Sequence, residues 1–244
     1  MIYILIPTYN DSENFKSLFK NIKVSIKGLR YRIIIVDDGS TDNTRRIIQG
    51  LSKKFPVTFL GYKKNVGPGH AFKYGFDYLI PKLDNGDLVI TMESDNTADY
   101  KIVRKLLEKT SRYDLVLASP LRSGGELKGM DLSRKLFSYV AGFADIVVFR
   151  VKGVRTYSSF FRVYRASILK KLKKTYGERF ITEDGFTSVL EILIKISKLH
   201  ARISEVPATI DWSVKKGKSK MNVIKTINRH FRVYMNYILG KYNL

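Results

Sequence analysis

The chain of 244 residues contains no cysteine. Disulfides and thiolate metal sites are excluded, and a reducing compartment is allowed. Its three histidines, His70, His200 and His230, are scattered without the spacing of metal ligands and read as structural or surface residues. The single tryptophan, Trp212, sits beside a basic loop and suits either an interfacial anchor or a packed aromatic. No apolar stretch reaches the roughly 18 residues of a membrane span. The apolar run at 3–6 is too short for a secretory signal, and Pro7 ends it. No repeat, low-complexity tract or clear linker is visible. Acidic residues are scarce, 22 against 44 basic ones, which leaves a net charge of +22. That balance favours polyanions, whether nucleic acid, anionic lipid or phosphorylated substrates, and does not choose among them.

What is present has the rhythm of an α/β protein. Residues 1–7 read as a strand that is apolar on both faces, as in a parallel sheet covered by helices. Asp11 or Ser12 can cap the next helix, where Phe15, Leu18, Phe19, Ile22 and Ile26 recur at helical spacing before Gly28. Further strands are expected at 31–36, 57–60, 88–92 and 114–118, with helices at 45–51, through Phe72, Phe76 and Tyr78 after the loop at 65–71, and at 99–110. Strands alternating with helices predict parallel βαβ units. The pattern loosens after Ser119. Residues 132–149 are helical in period and fit either a membrane interface or a core. Residues 157–164 suggest a strand, 184–199 a helix, and 202–210 a strand. Residues 215–220 form a basic glycine-containing loop, and 223–239 a basic amphipathic helix. Helices of that kind commonly pack with a solvated face; here the net charge favours membrane association, since each basic residue near an anionic surface adds about 1 kcal/mol.

The chemistry concentrates at strand ends. The strand at 88–92 runs straight into Glu93-Ser94-Asp95. Alone, this is either a solvated acidic turn or a seat for a hard divalent cation, since Mg²⁺ is typically held by one or two carboxylates plus phosphate oxygens. Two other strands end in Thr8-Tyr9-Asn10-Asp11 and Asp37-Asp38-Gly39-Ser40. In a doubly wound sheet such loops share one edge. Carboxylates clustered at a phosphate site need a bridging cation.

Pro7-Thr8-Tyr9-Asn10, the run Val36 to Asp42, the loop Asn65 to Ala71 and the acidic pair together resemble the family 2 glycosyltransferases of GT-A fold, in order and in spacing. The later half resembles the branch that makes dolichyl- or polyprenyl-phosphate sugars. The matching features are Arg134 before a candidate interfacial helix, Glu191 within a helix, Glu205-Val206-Pro207, and Gly217-Lys218-Ser219-Lys220. The resemblance spans roughly residues 2–221.

It implies a Rossmann-like, mostly parallel sheet flanked by helices and ending in basic amphipathic helices. Residues 1–221 would form the transferase domain, with a nucleotide-binding half at about 1–118 and an acceptor half at about 119–221. Residues 222–244 would be a basic membrane-surface helix. Pro7, Tyr9, Asp11, Asp37, Asp38, Gly67 and Ser94 would contact the nucleotide-sugar donor. Glu93 and Asp95 would hold Mg²⁺ or Mn²⁺, with glutamate standing where the family has aspartate. Arg122, Arg134, Lys215, Ser219 and Lys220 would face phosphate groups, with Asp95, Arg134 and Asp184 closest to the chemistry.

Two departures concern phosphate binding. Ala118-Ser119-Pro120 replaces Gly-Ser-Arg, with Arg122 displaced by two positions. Val214 stands where an arginine is expected, flanked by Lys215 and Lys216, and lysine does not reproduce a guanidinium fork.

The implied activity is inverting, metal-dependent sugar transfer from a GDP- or UDP-type donor to polyprenyl or dolichyl phosphate, by a peripheral enzyme on the cytoplasmic membrane face. An alternative acceptor is a saccharide or peptide hydroxyl, with Asp184 of the Glu183-Asp184 pair as base; the plain reading of that pair is an N-cap and first-turn acid. A third reading is a non-catalytic protein that binds polyanions or membrane. The ordered acidic motifs argue against nucleic acid, whose backbone they would repel.

Overall fold

The computed structural model describes residues 1–217 and 222–243. Ser219 and Lys220 lie outside the described residues, as does the side chain of Arg134.

The centre is a seven-stranded sheet. Its strands are β1 (Ile2–Thr8), β2 (Tyr31–Asp38), β3 (Val57–Tyr62), β4 (Leu88–Thr91), β5 (Leu115–Ser119), β7 (Arg162–Arg165) and β8 (Ile203–Pro207), in the order β3-β2-β1-β4-β7-β5-β8. All neighbouring pairs are parallel except those made by β7, which runs antiparallel between β4 and β5. The direction of strand succession reverses between β1 and β4. In open α/β sheets ligands bind at that crevice, beyond the carboxyl ends of the strands.

Each apolar strand run feeds two cores, because successive side chains point to opposite faces. Leu5, Ile34, Val36, Val89, Leu115 and Leu117 face one layer, formed largely by α3 (Pro68–Leu79), α6 (Ala166–Tyr176) and α7 (Ser188–Lys198). Ile4, Ile6, Ile33, Ile35, Ile90 and Val116 face the other, formed by α1 (Phe15–Ser25), α2 (Thr44–Ser52) and α4 (Val103–Lys109). Both faces are covered, which is why these strands read as continuous hydrophobic runs.

The second half departs from the sequence expectations. The strand expected at 157–164 shrinks to Arg162–Arg165, because the Arg162 guanidinium, fully buried, draws the preceding segment round itself. It donates to the carbonyls of Tyr157, Ser159 and Val189. The strand expected at 202–210 breaks after Pro207, and β9 (Thr209–Asp211) leaves to pair with β6 (Glu126–Lys128), which the sequence did not reveal. The helix expected from Asp184 begins at Ser188, with Thr187 as its N-cap, so the Glu183-Asp184 pair is neither cap nor first turn. Nor do Asp11 and Ser12 cap α1, whose N-cap is Asn14.

Two helices pack at the margin of the first layer, reaching its core through Phe149 and Val233. Helix α5 (Leu132–Phe149) has the extent its period predicts, and it is not a core helix: Leu136, Phe137, Val140 and Phe143 are exposed, Phe143 by 69%. Helix α8 (Val223–Ile238) exposes Ile224, Ile227, Phe231 and Ile238. The two are joined through the buried Asp145, which accepts from Tyr234 Oη at 2.9 Å and pairs with His230 Nε2 at 2.7 Å. Phe149 packs on Tyr234 and Tyr237 beside them. Among the described residues no helix is long and apolar enough to cross a membrane.

Candidate active site

Three loops leave the carboxyl ends of β1, β2 and β4 side by side, and hydrogen bonds made by their side chains lock them together. From the first, Asn10 takes the left-handed conformation and its Oδ1 accepts from Thr41 N at 2.8 Å. Asp11 N donates to Thr44 Oγ1 at 2.9 Å. From the second, Asp42 accepts from Thr44 N and Ser12 N, closing the link in the other direction.

Asp37 is fully buried at the end of β2. One oxygen accepts from Arg45 Nε, the other from Ser40 N at 3.1 Å. Its charge is therefore matched inside the protein. Asp38 reaches the glycine loop instead, accepting from Asn65 Nδ2, from Val66 N at 2.8 Å and from Gly67 N at 2.9 Å. Burial pushes its carboxyl up, against the pull of the Val66 and Gly67 N–H groups.

The acidic turn after β4 closes the crevice. Ser94 Oγ donates to the Asp11 carboxylate, joining the β1 and β4 loops. Asp95 is buried; its Oδ1 accepts from Thr97 N and Oγ1, and its Oδ2 from Lys215 Nζ at 2.7 Å. Asn96, at φ 68°, donates to Asn14 O and Ser17 Oγ, which ties the turn to α1. Glu93 is half-buried. Burial first, then the charges of Asp95 and Asp11, push its carboxyl up to about 8, with Lys215 opposing them. Glu93 thus holds its proton beside the carboxylates of Asp95 and Asp11, and a divalent cation in Lys215's place would favour its ionised form. Among the described residues no three Asp, Glu or His side chains form a full metal cage. A cation here would take Glu93 and Asp95 and complete its shell from diphosphate oxygens and water, in the manner usual for Mg²⁺.

A strap from the far end of the chain crosses this turn. Asp211 N donates to Thr97 O, Lys216 exchanges backbone hydrogen bonds with the Asn14 side chain, and Lys215 Nζ lies 4.9 Å from the Trp212 ring. Lys215, read from sequence as a phosphate contact, is thereby placed on Asp95. Arg122 stands 4.0 Å from Glu205 Oε2, with part of its side chain open. Glu205 is buried and accepts from Arg155 N and Thr156 N. Pro7 is buried within β1, and Tyr9 lies part-exposed just beyond that strand.

Asp184 comes to the same edge by a route the sequence did not show. Gly69 N donates to Asp184 O at 2.8 Å, and a side chain at Gly69 would collide with Glu183 O, so only glycine permits this approach. The Asp184 carboxylate lies 3.3 Å from Arg229 Nη2 of α8 and 3.5 Å from His70 Nε2. The turn is held from behind by Glu191, fully buried, which accepts from Thr182 N and Glu183 N and pairs with Lys195.

A family profile described as "Glycosyl transferase family 2" matches residues 3–173. Among curated relatives, the "Dolichol-phosphate mannosyltransferase" of Pyrococcus furiosus is 30% identical over 233 residues; the match covers 95% of this chain and 62% of that protein. The "Dolichyl-phosphate beta-glucosyltransferase" of Saccharomyces cerevisiae is 27% identical, over 98% of this chain and 75% of that one. Among solved structures, glucosyl-3-phosphoglycerate synthase from Mycobacterium tuberculosis, in complex with Mn²⁺, UDP and glucosyl-3-phosphoglycerate, superposes with a TM-score of 0.66 at 16% identity, covering 98% of this chain and 79% of that one. S. aureus TarS 1-349 in complex with UDP-GlcNAc gives 0.63 at 17% identity, covering 98% and 66%. These structures share the fold, with a mostly parallel central sheet flanked by helices. The chain belongs to glycosyl transferase family 2.

Proposed function

We propose that this chain transfers a hexose from a nucleoside diphosphate sugar to a polyprenyl or dolichyl phosphate, with inversion, while resting on an anionic membrane surface. The observation that carries the reading is the acidic crevice of Asp11, Glu93 and Asp95 at the strand reversal, in a molecule whose α5 and α8 expose apolar faces. Two curated relatives are named for transfer to dolichyl phosphate, which supports the acceptor class.

Mg²⁺ or Mn²⁺, held by Glu93 and Asp95, would act as Lewis acid towards the leaving diphosphate. The remaining work falls to the chain. The loops ending β1 and β2 position the nucleoside, with Asp38 fixing the glycine loop beside it. An acceptor phosphate oxygen attacks the anomeric carbon from the face opposite the diphosphate. The new C–O bond forms as the bond to the diphosphate breaks, and the leaving group departs as a nucleoside diphosphate. A phosphate monoester is already anionic near neutral pH, so it needs alignment and charge screening more than a base.

Asp184 fits this better than it fits base catalysis. Its carboxylate is engaged by Arg229 and lies 3.5 Å from His70 Nε2, so it already has partners that a free base would lack. The surface agrees with a membrane location: Phe137 and Phe143 on α5 and Ile227 and Phe231 on α8 are exposed, and the chain carries +22. Apolar helix faces with basic flanks bind the headgroup region of anionic bilayers.

The test is incubation with radiolabelled nucleotide sugars, Mg²⁺ or Mn²⁺, and polyprenyl phosphate, followed by solvent extraction. The reading expects label in the organic phase with one donor. Label that appears only on an added saccharide would refute it.

A further inference from the structure

A cavity of about 620 Å³ opens between α8 and the Glu183-Asp184-Gly185 turn. Its lining includes Asp184, Ile224, Lys225, Asn228, Arg229 and Arg232. Three cations therefore face one carboxylate. Asp184 is 45% exposed and takes only one guanidinium nitrogen of Arg229, at 3.3 Å, which leaves most of that fork uncommitted to it. The Arg229 guanidinium lies directly over Gly185, where any side chain would have to push it aside. Burial pushes the neighbouring Glu183 carboxyl up, with Thr187 and then Arg232 and Arg229 opposing it. The positive charge is concentrated on this turn.

The rim is apolar. Ile224 is 74% exposed at the cavity edge, and Ile227 and Phe231 continue the exposed face of α8 away from it. A hydrophilic anion would gain nothing from that rim, and an apolar ligand nothing from the cations. An amphiphile with a phosphate head uses both. Guanidinium forks bind phosphate through paired charge-assisted hydrogen bonds, stronger than one long contact with a half-exposed carboxylate.

We propose that Lys225, Arg229 and Arg232 of α8 form a phosphate subsite for an amphiphilic phosphate monoester, with Arg229 exchanging Asp184 for the ligand. The subsite is bolted to the donor crevice by a single loop: Gly67 N binds Asp38 and Gly69 N binds Asp184 O. It deepens the acceptor reading above and rests on it. It also supplies, from α8, the phosphate-binding arginines whose expected positions are filled by Pro120 and Val214.

The experiment is calorimetric titration with farnesyl phosphate, inorganic phosphate and farnesol. It uses the wild type, the double variant K225Q/R232Q, in which both replaced residues are exposed, and R229Q. Melting temperature and binding of UDP or GDP with Mn²⁺ are followed alongside. Farnesyl phosphate is expected to bind the wild type more tightly than inorganic phosphate does, and farnesol not to bind. K225Q/R232Q is expected to lose roughly tenfold or more in farnesyl phosphate affinity, the value of one to two charge-assisted hydrogen bonds, with nucleotide binding unchanged. Unchanged farnesyl phosphate affinity in both variants overturns the subsite while leaving a lipid phosphate acceptor standing. Inorganic phosphate binding as tightly as farnesyl phosphate overturns the amphiphilic assignment. A wild type that binds no farnesyl phosphate overturns the acceptor reading and the subsite with it.

Discussion

Lys215 Nζ lies 2.7 Å from Asp95 Oδ2, joining residues 120 apart in sequence, and both side chains are largely buried. The ammonium occupies the oxygen that a divalent cation would need. Metal binding should therefore release Lys215 and, with it, the ring of the chain's only tryptophan. Titrating Mg²⁺ while following Trp212 emission checks this. The wild type should show a spectral change. Lys215→Met should bind Mg²⁺ several-fold more tightly, since a largely buried pair competes by about 1 kcal/mol or more. Equal or weaker Mg²⁺ affinity in Lys215→Met would contradict competition for Asp95.

Asp42 joins two of the loops that form the crevice. Burial pushes its carboxyl up, but the hydrogen bonds from Thr44 and Ser12 outweigh that and hold it below its ordinary value. A carboxylate depressed in the folded state contributes stability that is present above its unfolded value, near 3.8, and is lost as pH falls through the folded value. Asp42→Ala should cost about 0.5–1 kcal/mol at pH 7, the worth of an exposed hydrogen-bonding carboxylate, and the difference from wild type should close below pH 3.8. Urea denaturation at a series of pH values measures both. A cost that persists unchanged in acid would assign it to packing instead.

Phe143 and Phe231 test the membrane face. They are 69% and 64% exposed, so Phe143→Asp with Phe231→Asp should leave the fold intact. Burying each ring in a bilayer interface is worth about 1.5–3 kcal/mol. Co-sedimentation with anionic vesicles should therefore fall at least roughly tenfold in the double variant. Retained binding would move the contact surface elsewhere.

The first half of the molecule was readable because its strands are buried on both faces. Runs such as Ile33-Ile34-Ile35-Val36 can hardly be anything else, and each ends in a conspicuous turn. The second half was readable in its long helices, expected at 132–149, 184–199 and 223–239, but less so between them, because polar residues do structural work there. Arg162 is fully buried and bonded to carbonyls, which shortens the strand expected at 157–164 to Arg162–Arg165. Helix α6 packs Ile168, Leu169 and Leu172 inward among lysines that mask its period. In the site, Asp11, Asp38, Glu93 and Asp95 were legible as strand-end acids. Their partners were not: Lys215 on Asp95, Arg229 on Asp184, and Asn14 beneath Lys216 depend on contacts across 120, 45 and 202 residues, for which sequence spacing carries no signal. Asp37 was equally conspicuous, but its pairing with Arg45 is a contact that the motif alone conceals.

The most direct test of the account compares wild type and Asp95→Ala in one assay: transfer of labelled sugar from a nucleotide donor to polyprenyl phosphate in vesicles, with Mn²⁺ present. The account expects lipid-extractable label from the wild type. It expects a loss of about a hundred- to a thousandfold in Asp95→Ala, the scale of removing one group that stabilises developing charge, in a protein that still melts cooperatively, at a lower temperature because Lys215 and Thr97 lose their partner. Full lipid-linked transfer by a folded Asp95→Ala protein would contradict it.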